Sequence, residues 1–300
     1  MNWIFITIIA YFFHALNAVT DKFLLQDRIP RPSNYTFYVG IFGLLSLLLI
    51  PFGDFFVPSS VQLVEALLSG VAFTFALFFF FIAMKAGEAT RVSSMIGGFS
   101  PIFVLFFSYL FLGSGLGEKE LFAFLLLLFG SVLISFKKSR ISYDSGKTAT
   151  VLMAAVFASL LFALSYVSAK AVFNELSFIN GFIWTRLGSF AASLFFLMPA
   201  ETRNSILNLP KIAGGKTAVL FLLNKIFGAL GFFLISYAIS LGNVSIINAM
   251  QGVEYALIFL IAIILSIKYP AILEEEISRK IMLQKISAIL LIGYGLFLLS

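Results

Sequence analysis

The chain has 300 residues, 61% of them hydrophobic and 11% charged, with a formal net charge of +6 and a mean hydropathy of +1.05. Soluble domains run at about 45–50% apolar and 25% charged, so the composition excludes a soluble globular protein and defines an integral membrane protein. With no cysteine and one histidine, His14, the chain also excludes a disulfide framework, a thiolate metal site and a zinc site built from several imidazoles.

Apolar runs separated by short polar punctuation predict ten membrane spans, near residues 3–25, 35–50, 66–84, 92–112, 121–136, 150–172, 178–198, 216–240, 244–266 and 281–299. The first run has no basic leader and no small-residue cleavage site, so it is expected to be retained as a span. Pro30, Pro32, Pro51, Pro58, Pro199, Pro210 and Pro270 punctuate the connections. The most polar stretch, 137–147, divides the chain into nearly equal halves.

Those halves look alike. Ala15-Leu16-Asn17-Ala18-Val19-Thr20-Asp21-Lys22 is echoed by Ala163-Leu164-Ser165-Tyr166-Val167-Ser168-Ala169-Lys170. Ala83, Gly87, Val92, Met95 and Gly97 recur at the same spacing as Ala238, Gly242, Ile247, Met250 and Gly252. The predicted fold is therefore all-α and polytopic, with ten transmembrane helices as two inverted five-helix repeats, since an odd number of spans makes the second copy enter from the opposite side. The expected units are 1–136, a polar cytoplasmic linker at 137–148, and 149–300.

Lys and Arg at the span ends set the orientation. Connections 1–2, 3–4, 5–6, 7–8 and 9–10 carry sixteen of them and the opposite side only Lys119 and Lys170. The odd-numbered connections are expected in the cytoplasm and both termini outside, with the plasma membrane as the expected location. The positive charge thus reads as topology, and no nucleic-acid motif is present.

The stretch 83–136 resembles spans three to five of an EamA-type repeat of the drug/metabolite transporter superfamily. The likeness rests on Ala83, Gly87 and Ala89, then Ser94 and Ser100-Pro101, then Phe111-Leu112-Gly113, and Gly130. The chain departs from the family pattern at Ser114, where Glu often follows Phe-Leu-Gly, and in a longer acidic connection at 272–279. The resemblance implies a secondary transporter of small metabolites.

The residues themselves point to a polar path through the membrane. The run 243–266 carries Asn248, Gln251 and Glu254, three residues apart and so on one helical face. A carboxylate at such depth is costly unless it faces a partner or a water-filled path. In the first span His14, Asn17 and Asp21 form a stripe, with Asp21 toward the cytoplasmic end. Arg186 and Lys225 lie about two turns inside spans seven and eight. The candidate substrate-binding residues are His14, Asn17, Arg186, Lys225, Asn248, Gln251 and Glu254, with Glu254 the candidate coupling group and a proton the candidate coupling ion. The bland alternative is a structural ion pair between Glu254 and Arg186 or Lys225, with His14 and Asn17 as interhelical contacts. Counting Arg186 and Lys225 against Glu254 leaves one excess positive charge, which favours an anionic or zwitterionic metabolite.

Gly97-Gly98 before Ser100-Pro101 suits close packing or a hinge. Asn34-Tyr35-Thr36 matches a glycosylation sequon, discounted because the predicted topology places it in the cytoplasm. The reading is a secondary active transporter working by alternating access, with a small-molecule solute and the bilayer as partners and no cofactor. The alternatives are a multidrug or cation exporter of the same fold and, in a different class, a channel or structural membrane protein. An enzyme is not expected, because neither a nucleophile–base pair nor a P-loop is present.

Overall fold

The computed structural model describes residues 2–27, 31–87, 89–135, 145–212, 214–268 and 279–299. Among them there are helices and no strands: α1 Asn2–Asp27, α2 Pro32–Ile41, α3 Ser60–Ala86, α4 Ala89–Leu112, α5 Glu118–Ser135, α6 Ser145–Glu175, α7 Phe178–Leu194, α8 Ala200–Ile212, α9 Gly214–Leu241, α10 Val244–Ala249, α11 Gly252–Lys268 and α12 Arg279–Leu299. Two 3₁₀ segments, Phe42–Phe52 and Phe195–Leu197, extend α2 and α7. Helix is what lipid demands, because every backbone N–H and C=O must find its partner within the segment. By length and composition eight helices of the described residues can cross a membrane, nine if the bent pair Phe178–Leu197 and Ala200–Asn208 counts as one. That falls short of the ten predicted. The run at 121–136 is weaker than it looked, because its 18-residue helix begins with Glu118, Lys119 and Glu120.

Three further differences have physical causes. The connection after α7 is not a loop: it turns by 109° into α8, which carries Pro210 within the helix and has polar and apolar faces. Its Ile206 is buried among Phe37 and Phe196, and Tyr38 donates to the Ile206 carbonyl at 2.9 Å. The predicted linker ends early, since α6 already begins at Ser145; residues 137–144 lie outside the described residues, as does most of the acidic connection at 272–279. The predicted ninth span breaks at Met250–Gln251 into α10 and α11. There Gln251 N–H bonds the Asn248 carbonyl at 3.1 Å and Val253 N–H the Met250 carbonyl at 2.9 Å, three residues apart rather than four.

Small residues set the helix crossings. Gly188 on α7 lies against Leu67 on α3, where an added Cβ would sit 2.7 Å from the Leu67 Cα. In a membrane, van der Waals packing drives helix association, so such sites tolerate no bulk. Gly188→Leu is expected to lower the yield of folded protein at least tenfold, read by size-exclusion chromatography in detergent, whereas Gly293→Leu, at a position with open space, should not.

The candidate hinge at Gly97-Gly98 is a packing site. The helix α4 runs unbroken through it and through Pro101, and a Cβ at Gly97 would meet the Tyr255 ring at 2.7 Å. The break lies instead in the repeat-related position, beside Gly252, whose missing side chain makes room for Ile292. The principal contacts are α1 on α9 and α11, α3 on α6 and α7, α4 on α6 and α5, and α5 on α12.

Candidate functional site

The helices enclose a cavity of about 1050 Å³, and His14, Asn17, Arg186, Lys225, Asn248, Gln251 and Glu254 all line it. Helix α1 contributes His14 and Asn17, with Asp21 one further turn along. The broken α10–α11 element contributes Asn248 before the break, Gln251 at it and Glu254 in the first turn after it. The break is braced on both sides. Tyr11 donates to the Ile247 carbonyl at 2.8 Å, Ser100 Oγ to the Asn248 side-chain oxygen at 3.2 Å, and Tyr255 to the Ser93 carbonyl at 3.0 Å. Asn243 caps α10, accepting from Ser245 N–H at 2.9 Å.

The ion pair expected around Glu254 is not formed. Lys225 pairs with Asp21 instead, Nζ to Oδ1 at 3.5 Å, with 10% and 14% of the two side chains exposed. The Asp21 carboxylate is the hub of a cluster. Its Oδ1 also accepts from the Tyr35 hydroxyl and from Asn224 Nδ2, and its Oδ2 from Asn17 Nδ2 at 2.9 Å. Lys225 Nζ in turn donates to Tyr35 at 2.8 Å and lies 4.0 Å from the centroid of its ring. Asp21, at the end of the candidate span Trp3–Asp21, is also part of the cavity wall, and Asn17 is partly spent on holding it.

Arg186 is held differently. Its guanidinium carbon lies 4.0 Å from the Phe232 ring, 4.6 Å from Phe73 and 5.8 Å from Phe182. It is 9% exposed, and its Nε has no hydrogen-bond partner. Among the described residues no hydrogen bond or ion pair reaches the Glu254 side chain either. Lys285 also lines the cavity, with Nζ 3.9 Å from the Phe259 ring. With Lys225 paired to Asp21, Arg186 and Glu254 are wall charges without a charged partner among the described residues, while Lys285 keeps the lining as a whole at three cations against two carboxylates.

Asp21, Tyr35 and Asn224 join the site from outside the set of candidate binding residues. Asp21 stood in the stripe with His14 and Asn17, and Tyr11, three residues before His14, extends that stripe toward the break. Tyr35 was legible only as the middle of the sequon. That sequon is closed by burial rather than by topology: Asn34 is 1% exposed, and its Nδ2 bonds Ser205 Oγ at 2.8 Å.

A helical membrane fold around a solute-sized, mixed polar and aromatic cavity is the anatomy of a transporter. Residues 1–136 match the model of the EamA-like transporter family, a match consistent with a member of the drug/metabolite transporter superfamily, and the long apolar helices make the chain an integral membrane protein. A crystal structure described simply as that of a protein superposes on 99% of this chain and 95% of its own, with a TM-score of 0.64 and 14% identity, a likeness of fold alone. No curated protein matches.

Proposed function

We propose that the protein is a secondary active transporter that carries a small zwitterionic metabolite through this cavity by alternating access. The observation that carries the reading is the pair of unpartnered opposite charges, Arg186 and Glu254, on the wall of one cavity. A substrate carboxylate suits the guanidinium, whose planar fork of donors is unspent, and a substrate ammonium suits Glu254. The aromatic and aliphatic remainder of the wall suits the rest of the solute. His14, Asn248 and Gln251 supply polar contacts, while Asn17 and Lys225 act through Asp21. The one excess positive charge of the lining keeps an anionic metabolite as the second candidate.

Alternating access fits a duplicated architecture of two inverted repeats, 1–136 and 149–300. The contacts support it by their exchange symmetry: α3 packs on α6 as α1 packs on α9, α4 on α6 as α1 on α11, and α5 on α12. The ends of α2 and α7 are both 3₁₀. Arg31, before α2, reaches Glu201 on α8 at 3.1 Å, which supports connections 1–2 and 7–8 on one face; the excess of Lys and Arg in the odd-numbered connections favours the cytoplasm for that face and the outside for both termini.

Glu254 is the proposed coupling group. In proteoliposomes, amino-acid zwitterions are expected to displace the transported solute and tetraphenylphosphonium is not. Glu254→Gln should abolish uptake driven by a pH gradient and, because the carboxylate also faces the substrate ammonium, weaken solute exchange without abolishing it. Displacement by the organic cation alone would favour the exporter, and full pH-driven uptake by the variant would move coupling to another residue.

A further inference from the structure

The cavity wall is also, in one place, the outer surface of the protein. Leu45 and Leu48 on the 3₁₀ segment, and Leu222, Ile226 and Leu230 on α9, line the cavity yet are 54%, 69%, 50%, 53% and 43% exposed. The segment Phe42–Phe52 packs chiefly on α7 and α2. It meets α9 at the end joined to α2, where Phe221 lies 6.4 Å from the Phe42 ring and 5.7 and 5.9 Å from the rings of Tyr35 and Tyr38 on α2 and Lys225 meets Tyr35. Beyond that closure the two elements leave a window whose five rim residues are all aliphatic.

The depth of the window decides what meets it. Within the candidate span Val219–Leu241, Leu222, Ile226 and Leu230 lie about 4 to 17 Å from its start at 1.5 Å per residue. A hydrocarbon core is about 30 Å thick, so the rim runs from near its edge to its middle and faces acyl chains. The window also adjoins the charged part of the cavity. At Gly43 the 3₁₀ backbone crosses α7 so closely that a Cβ there would sit 2.9 Å from the Arg186 carbonyl oxygen and 3.8 Å from its Cβ. A polar site at that depth, open sideways to hydrocarbon, accepts a molecule with a charged head and an apolar tail.

We infer that this window is a lateral portal for an amphipathic zwitterion that reaches the cavity from the bilayer, its tail lying between Phe42–Phe52 and α9 and its head at Arg186 and Glu254. The inference rests on the transport reading above and narrows its substrate class. A soluble zwitterion has no use for an aliphatic rim, whereas a tailed one gains burial at every methylene.

The test uses 2-amino acids from 2-aminobutyrate to 2-aminodecanoate in proteoliposomes containing the full chain. Apparent affinity is expected to rise about threefold to fourfold per added methylene until the window is filled. The double variant Leu48→Trp with Ile226→Trp should lower the ratio of 2-aminodecanoate to 2-aminobutyrate uptake at least tenfold. The milder Leu48→Phe should lower it by a smaller factor, which guards against misfolding of the double variant. Saturable uptake with an unchanged ratio in both variants would overturn the portal while leaving the transporter intact. Absence of saturable uptake of every member by the wild-type protein would overturn the transport reading, and the portal with it.

Discussion

Replacing Arg186 with methionine is expected to leave the melting temperature of the detergent-purified protein unchanged or raised, while cutting zwitterion uptake at least a hundredfold. The two halves of that result come from one geometry. The guanidinium is nearly enclosed, and among the described residues its partners are the faces of Phe73, Phe182 and Phe232 rather than an acceptor. Stacking on aromatic faces is worth about 2 kcal/mol when desolvated, while stripping water from an ion costs several kcal/mol. The balance makes Arg186 a strain on the empty protein, and an apolar side chain of similar length relieves it. A substrate carboxylate supplies the missing acceptor, and a hundredfold loss corresponds to about 2.7 kcal/mol, within reach of one or two charge-assisted hydrogen bonds. Arg186→Lys should retain part of the activity but not the planar stack. If Arg186→Met lost stability and activity together, the residue would be a packing element and the substrate charge would need another partner.

The contrast between Arg186 and Lys225 shows where the sequence runs out. Both stand two turns inside apolar runs, and hydropathy alone assigns both to the interior. Periodicity also brings His14, Asn17 and Asp21 to one face, and the spacing of Asn248, Gln251 and Glu254 to another; all of these line the cavity. What the sequence does not carry is which buried charge finds which partner, because that depends on the packing of α1 against α9, elements about 200 residues apart. Asp21 proved nearer to Lys225 than Glu254 did, and that one pairing alters the charge left for a solute. The break at Met250–Gln251 was hidden for a similar reason. No proline marks it; it is held by Tyr11 and Ser100 reaching in from α1 and α4, and by Tyr255 of α11 reaching out to Ser93 on α4. The helix α8 was masked by Pro199 and Pro210, which read as a loop, although a proline near a helix end disturbs few backbone bonds.

The Asp21 cluster is the place where single substitutions are expected to do the most structural harm, and the harm should be unequal. Asp21→Asn replaces a carboxylate that accepts from Tyr35, Asn224, Asn17 and Lys225 with an amide that has one acceptor oxygen and brings donors of its own. Lys225 then keeps its charge over the Tyr35 ring with no counter-ion, the situation that costs about 3–5 kcal/mol when a buried pair loses one member. Lys225→Met removes the cation but leaves Asp21 with three neutral donors, so its cost should be no more than about half as large. The double variant should unfold more easily than Lys225→Met but less easily than Asp21→Asn, since it carries no stranded charge. Unfolding in mixed micelles, followed by tryptophan fluorescence, orders the four proteins. A greater loss for Lys225→Met than for Asp21→Asn would mean that the lysine, through its bond to Tyr35, holds α2 against α9, and that the carboxylate is the dispensable partner.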